Sequence, residues 1–469
     1  MKEAEELHKE SLKIDPLYDR QPEKINHNTL LELVIDLYEA GDYAQGITLA
    51  EKWVKQQNVS RQEDIYPLVY YYIAYGYQNL HRKENTEQAN CYMTMYVTLG
   101  ENAAADGCFP HRTEDYIVLK SLAEEYHLAM AYYYLGCLLY DRRVYDESIE
   151  DYEESILRSP DFPTVHRNLA LAYYNVKKLP QRAYEEMEKA FALDETDARV
   201  YLELDQLKKR LNVAVKERWS DMEKHFDLVE SRDDLYLEYV TLLNTLGEPE
   251  KALGLIKARK FHQWEGGEGK VAAQYLTALY QLAKAAVEKE DYAEAKELLL
   301  RAVGEYPHNL GEGKLESGQE NNLYYLLGLV QEKLGEAKDA FESLTRACCG
   351  ESEPVGMMYY NDQPPEMIYY QGLAYRMLGE EEQAVRRFQK LVDYGREHIR
   401  DDVKIDYFAV SLPDLLIFEE NLNERNRKHC LFMMSLGLKG LGRIDEAEKC
   451  AEELLAMDNA HQEIRVHDL

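Results

Sequence analysis

An all-α fold, a right-handed superhelix of about nine to eleven stacked helix pairs, is what this sequence predicts. The first reason is a spacing. Gly136, Ser148, Tyr152, Ser155 and Pro160 recur at the same offsets as Ala283, Ala295, Leu299, Ala302 and Pro307. Without the proline, they recur again as Gly328, Ala340, Leu344 and Ala347, and as Gly372, Ala384, Phe388 and Leu391. Small residues let two helices close up, and the large residue between them fills the groove. The second reason is composition. With 30% charged and 45% hydrophobic residues over 469 positions, the chain suits charge-coated helices added unit by unit without separate cores.

The spacing resembles the tetratricopeptide repeat, which implies a helix–turn–helix unit that stacks on its neighbours and leaves the chemistry open. Taken in order, Ala4, Ser11 and Pro16 carry the spacing of Ser148, Ser155 and Pro160. Residues 1–16 therefore read as the second half of a repeat: a cap, or the tail of a longer ancestral chain. The tail is favoured, because caps are usually made polar rather than halved. The stretch INHNTLLELVIDLYEAGDYAQGITLAEKWV predicts a helix pair turning at Gly41-Asp42. Tyr66–His81 and Thr86–Leu99 predict another, with Gly100 as its C-terminal stop. Residues 100–113 read as a loop, and Thr113-Glu114-Asp115 as a helix start. After the repeat around Gly136 comes Thr164–Leu193, with Ala170, Ala183 and Ala190 as its small positions. Asp197–Phe226 is helical but irregular, and Arg232–Ile256 restores the register around Ala252. One continuous solenoid is expected, with an irregular stretch over 1–126, central repeats over 127–260 and C-terminal repeats with insertions over 261–469.

The insertions follow from spacing. The small residue opening each second helix falls at Ala252, Ala295, Ala340, Ala384 and Ala447, at intervals of 43, 45, 44 and 63 residues. The basic unit is about 34 residues. Both helices of each unit are intact, so the surplus must lie between one unit's second helix and the next unit's first. Insertions at one topological position land on one edge, often the binding edge.

Their content is unusual for linkers. The first holds Trp264-Glu265-Gly266-Gly267-Glu268-Gly269-Lys270, and the second repeats its ending as Gly311-Glu312-Gly313-Lys314. The third is Tyr359-Tyr360-Asn361-Asp362-Gln363-Pro364-Pro365, and the longest, Lys404–Asn423, includes Tyr407 and Asp414. In one reading the glycines make turns, the aromatics plug gaps and the Glu–Lys pairs satisfy one another. In the other, the loops converge on a polar pocket with an aromatic floor, suited to a sugar or a polar peptide.

Tyrosine is over-used: 38, against 10 phenylalanines. Tyr133, Tyr280, Tyr325 and Tyr369 each stand three residues before the small residue of a first helix, and Tyr71 fits with Ala74. By resemblance that place faces the concave groove, where a ladder of tyrosines would offer rigid contacts to a partner. Packing between helices is the competing account. The lysine, arginine and asparagine set that clamps a chaperone tail's carboxylate is absent; those places hold Tyr133 and Cys137, Tyr325 and Leu329, and Tyr369 and Leu373.

Other classes are excluded or unsupported. A net charge of −32 argues against nucleic acid, whose binding needs clustered cations. The seven cysteines include no C-x-x-C, which predicts neither disulfides nor a zinc knuckle and fits a reducing cytoplasm. MKEAEELHKE is charged from its second residue, unlike a signal peptide, and Tyr66–Leu80 is too short and tyrosine-rich to span a membrane. No metal-ligand pair, nucleophile elbow or phosphate-binding loop is present: Trp264 stands where that loop needs glycine, and Val271 where it needs Ser or Thr. No catalytic residue, metal or cofactor is expected, although a carboxylate pair for glycoside chemistry could hide among Glu265, Glu268, Glu312, Asp362, Asp406 and Asp414.

FHQWEGGEGKV, NLGEGKL, YYNDQPPEMIYYQGLA and IDYFAVSLPDLLIFEENLN resemble the C-terminal repeat half of a bacterial family. Its longer members begin with a mutarotase-like β-sandwich of unknown function and are often encoded beside sugar-utilisation genes. The resemblance runs from about Gln21 onward and implies a carbohydrate-linked context, with the loops as a binding surface. This chain holds no β-sandwich. The expectation is a non-enzymatic scaffold that binds a partner protein or an upstream domain through groove and loop edge. The alternative is a carbohydrate-active protein, or its substrate-binding half.

Overall fold

The computed structural model describes residues 25–57, 64–84, 87–264, 266–314, 318–356, 362–404 and 417–467. The half-repeat expected at 1–16 lies outside them, as do Glu265, Tyr360, Asn361, Tyr407 and Asp414. Among the described residues the regular elements are all helical, and the chain divides into two compact units, residues 1–177 and 178–469.

The first unit begins with the pair α1 (His27–Glu39) and α2 (Tyr43–Gln56), which turns at Gly41 with φ 79° as the Gly-Asp signal predicts. The Asp42 carboxylate then accepts the Gln45 N–H and starts α2. Next come α3 (Pro67–Glu84) and α4 (Glu87–Asn102). Gly100 does not stop α4. It lies inside the helix, where a Cβ would sit 3.1 Å from the Tyr71 ring, so the glycine serves close packing instead. Helix α5 (Thr113–Tyr126) starts where expected, because Asp115 accepts the N–H groups of His111 and Arg112, both at 3.0 Å. The unit continues through α6 (Ala129–Asp141), α7 (Tyr145–Arg158) and α8 (Pro163–Asn175).

The physics behind the repeat spacing is visible in α6 and α7. A Cβ on Gly136 would lie 2.5 Å from the Tyr152 ring, so only glycine admits that ring. Ser148 donates to the Gly136 carbonyl at 2.7 Å, tying the two helices at their crossing.

The second unit starts with α9 (Pro180–Leu193), α10 (Ala198–Arg210), α11 (Val215–Lys224) and α12 (Phe226–Ser231). Helices α10 and α11 lie within Asp197–Phe226, the stretch the sequence marked as irregular. An ion cluster is set into its apolar core: buried Arg218 donates to Asp205 at 3.0 and 2.6 Å and to Glu238 at 2.7 Å. A buried charge persists only when so paired. Regular pairs follow: α13 (Asp233–Thr245) with α14 (Pro249–Ala258), α15 (Lys270–Glu288) with α16 (Tyr292–Val303), and α17 (Asn321–Lys333) with α18 (Ala337–Ala347). After them come α19 (Pro365–Met377) with α20 (Glu381–His398), α21 (Leu422–Gly440) with α22 (Ile444–Met457), and the short α23 (Gln462–His467). Gly328 against Leu344 and Gly372 against Phe388 repeat the Gly136–Tyr152 contact, with virtual Cβ distances of 2.7 and 2.5 Å. All four insertions fall between a second helix and the next first helix, where the spacing put them.

No described helix is long and apolar enough to cross a membrane. All seven cysteines are free, and no metal-binding group of three or more His, Cys, Asp or Glu occurs among the described residues.

Candidate functional site

The first two inserted loops meet. Phe261 donates its backbone N–H to Asn309, and the Asn309 amide donates to the carbonyls of Ile256 and Arg259 at 2.8 and 2.9 Å. Glu312 reaches across and accepts the N–H groups of Gly269 and Ala272 at 2.7 and 2.9 Å. Its charge thus serves the N-terminus of α15, where unpaired amides and the helix dipole favour an anion. Lys314 donates to the Val303 carbonyl at 2.5 Å and to Glu320 at 2.9 Å. Trp264 is half-buried and lies flat over Gly267, where a Cβ would meet its indole at 2.3 Å. Glu268 and Lys270 are exposed beside them. In these two loops Gly266, Gly269 and Gly311 make turns with positive φ, whereas Glu312 and Lys314 are held by the partners just named and not by each other.

In the third loop, Gln371 donates to the carbonyls of Cys349 and Glu351 at 3.1 and 2.8 Å. His429 from α21 is bonded to the Val355 carbonyl at 2.8 Å. Burial, the largest influence on it, pushes His429 down to about 4, so it bonds as a neutral ring. Asp362 is half-buried; Gln363 is buried, and its amide finds no hydrogen-bond partner among the described residues.

The tyrosines depart from expectation. Tyr133, Tyr280 and Tyr369 retain only 8%, 2% and 3% of their exposure, so they are not a ladder of free contacts. Tyr133 packs edge-on against Phe162 at 4.9 Å, and Tyr369 turns into its own pair, 5.6 Å from Phe388. Tyr325 remains half-buried, 5.5 Å from Tyr370. Tyr280 is buried for another reason: a segment of the same chain covers it.

That segment is α23. It lies against α13, α15 and α19, the first helices of three pairs. The Gln462 amide donates to the Thr241 carbonyl and the Thr245 hydroxyl, both at 3.1 Å, and accepts from Gln274 at 2.9 Å. Asn244 holds Gln274 in place through two bonds at 3.0 and 2.9 Å. At the other end Lys284 donates to the Val466 carbonyl at 2.9 Å. His467 inserts between Tyr280 and Tyr370, with ring centroids at 5.6 and 5.5 Å. Its Nδ1 lies 3.1 Å from the Tyr370 hydroxyl, which is itself 2.6 Å from that of Tyr280. Ile464 and Val466 are buried. Just before α23, the Asn459 amide donates to the Asn212 carbonyl at 2.6 Å, and the Asn459 backbone N–H donates to the Asn212 side-chain oxygen at 2.8 Å.

Family comparisons agree with this architecture. One tetratricopeptide-repeat family model matches residues 133–198 and 280–354, and a second matches residues 366–394. Over those residues the chain carries tetratricopeptide repeats. Among solved structures, a human IFIT1 dimer with m7Gppp-AAAA is similar at 11% identity, covering 92% of this chain and 90% of that one, with a TM-score of 0.28. The apo form of the quorum sensor NprR from B. thuringiensis matches at 12% identity, covering 92% and 98%, with a TM-score of 0.26.

In tetratricopeptide terms, α23 occupies the inner face lined by first helices. Beside the Lys284 ammonium, two titratable side chains on that face are shifted toward their neutral forms. Burial, helped by the charge of Lys284, pushes His467 down to about 3. Glu366, one turn before Tyr370, is buried as well; burial and then the nearby Glu463 push it up to about 8, against its own backbone N–H. At neutral pH both groups are uncharged. The sequence reading missed Gln274, Lys284, Tyr370, Gln462 and His467. Only the alternation Gln462-Ile464-Val466 beyond the last repeat hinted at them.

Proposed function

We propose that this chain is a protein-binding scaffold whose recognition surface is the inner face of its second unit, extended by the inserted loops. One observation carries the reading. Side chains from three first helices already hold a short helix on that face, through carboxamide, lysine and tyrosine contacts on one side of the segment. A surface built to hold one helix by side chains suits recognition of another. The likeness of the inserted loops to a bacterial family with a β-sandwich makes such a domain the first partner to assay against the loop edge.

The test starts with a photo-crosslinker at Tyr325, which stands half-buried on this face, and mass spectrometry of what it captures. With the captured partner purified, Gln274→Ala and Lys284→Ala should each weaken binding at least tenfold. Phe341→Ala, an exposed change on a second helix, should leave binding alone. The opposite pattern would move the binding surface elsewhere. Saturable binding on a glycan array, lost on Trp264→Ala, would replace this reading with the carbohydrate one.

A further inference from the structure

The contacts on α23 describe a receptor in chemical detail. Gln462 meets a carbonyl and a hydroxyl that accept and an amide that donates, so its socket reads both ends of a carboxamide. A carboxylate there would leave the Thr241 carbonyl facing an acceptor, and an ammonium would leave the Gln274 donor unmet. Two residues on, Ile464 fills an apolar site, and Val466 another. Lys284 meets the carbonyl of Val466 at the end of the segment, where a helix leaves carbonyls unpaired. The Tyr280–Tyr370 pair then takes a planar, neutral ring with one acceptor.

Several features set this segment apart from the core. Six residues make a helix too short to persist alone in water. Among the described residues, the hydrogen bonds from Gln462, Val466 and His467 to α13, α15 and α19 each involve a side chain, whether from the segment or from the repeat helices. A cavity of about 270 Å³ opens beside it, lined by Thr245 and Leu246 on one side and Asn459 and Arg465 on the other.

We propose that the inner face of the second unit is a receptor for a short helical segment of this chemistry on a partner protein, and that Gln462–His467 is an internal occupant which such a segment displaces. The chemistry is glutamine first, aliphatic residues third and fifth, and a neutral imidazole sixth. The occupant already seated there states the chemistry. Being tethered, it competes at a high effective concentration, so the free chain presents a closed face. This rests on the recognition surface proposed above.

The probe is a fluorescein-labelled peptide of residues 458–467, followed by anisotropy. The receptor is the full chain, unaltered or carrying Ile464→Asp with Val466→Asp to weaken the internal occupant. Binding to the variant should be at least tenfold tighter than to the unaltered chain. Adding Gln274→Ala, or replacing the peptide's glutamine by glutamate, should weaken it at least tenfold. No saturable binding by a variant that melts like the unaltered chain would overturn the proposal. Should the variant not fold, amide exchange in the unaltered chain decides. Excess peptide should speed exchange at 462–467, whereas exchange there as slow as in α15, with or without peptide, would make the segment permanent core. A dimer that trades the segment between two copies would also overturn displacement by a separate partner. Peptide binding alongside a partner indifferent to Gln274→Ala would remove only the wider function. Groove-dependent partner capture without peptide binding would remove only the stated chemistry.

Discussion

Two alanines, placed in two glycine positions of the same kind of helix, should act in opposite directions. Gly254 sits inside α14 with open space around its virtual Cβ, whereas Gly136 sits inside α6 with the Tyr152 ring 2.5 Å from that position. Alanine gains about 0.5–1 kcal/mol over glycine in a helix interior. At Gly254 nothing opposes the gain, so Gly254→Ala should stabilise the second unit by that amount. At Gly136 the ring must shift, and overpacking costs about 1–3 kcal/mol. Gly136→Ala should therefore destabilise the first unit by about 0.5–2 kcal/mol after the helix gain, at roughly 2–4 °C of melting temperature per kcal/mol. Thermal melts followed by circular dichroism give the sign, and peptide-resolved amide exchange assigns it to a unit. The repeat formed by α15 and α16 supplies the rescue, since it pairs Ala283 with Leu299 at the same two positions. Gly136→Ala with Tyr152→Leu reproduces that pair and should recover most of the loss caused by Tyr152→Leu and Gly136→Ala taken separately. Both alanines acting in the same direction, or strictly additive losses in the double variant, would refute the packing argument.

Three further outcomes follow from the geometry. The folded pKa of Glu366 is raised to about 8, so its stabilising neutral burial is complete below about pH 4.5 and is lost as pH rises through 8. At about 1.4 kcal/mol per pH unit, Glu366→Gln should stabilise the second unit by about 3 kcal/mol at pH 7 and by little at pH 4.5, as denaturant midpoints at the two pH values will report. Glu312→Ala removes both acceptors at the start of α15 and should cost about 1–2 kcal/mol, with faster amide exchange at residues 269–272 as its local signature. Glu290 holds φ at 60° in the turn between α15 and α16, a place that Gly247, Gly335, Gly379 and Gly442 fill in other pairs. Glu290→Gly should raise the melting temperature, because relief of about 1–2 kcal/mol of left-handed strain exceeds the 0.5–1 kcal/mol entropy cost of glycine.

The repeat framework was legible in the sequence because it rests on sizes at fixed offsets. A glycine opposite a tyrosine, leucine or phenylalanine sixteen residues on leaves few arrangements other than two helices crossing with the large side chain in the gap. The position of the insertions was legible for the same reason, since each helix pair keeps its length. What Gly100 does was not legible: a glycine near a helix end looks alike whether it turns the chain or admits the Tyr71 ring. The loop pairs Glu312 and Lys314 were read as either ligand contacts or mutual partners. Their backbone targets, Gly269, Ala272 and Val303, depend on how neighbouring insertions stack. The inner face was the least legible part. Tyr280 was placed near it by period and Tyr370 was not, and the residue that covers both, His467, lies 187 and 97 residues further along and outside any repeat. Contacts of that span carry no periodic signal.

The most direct test of the inner face as recognition surface is amide exchange at residues 462–467 in the full chain, before and after a captured partner is bound to saturation. The account predicts slow exchange in the free chain, where Gln462, Val466 and His467 are bonded to the repeat helices, and release to near-random-coil rates in the complex. Protection that stays unchanged while the partner is tightly bound would contradict it.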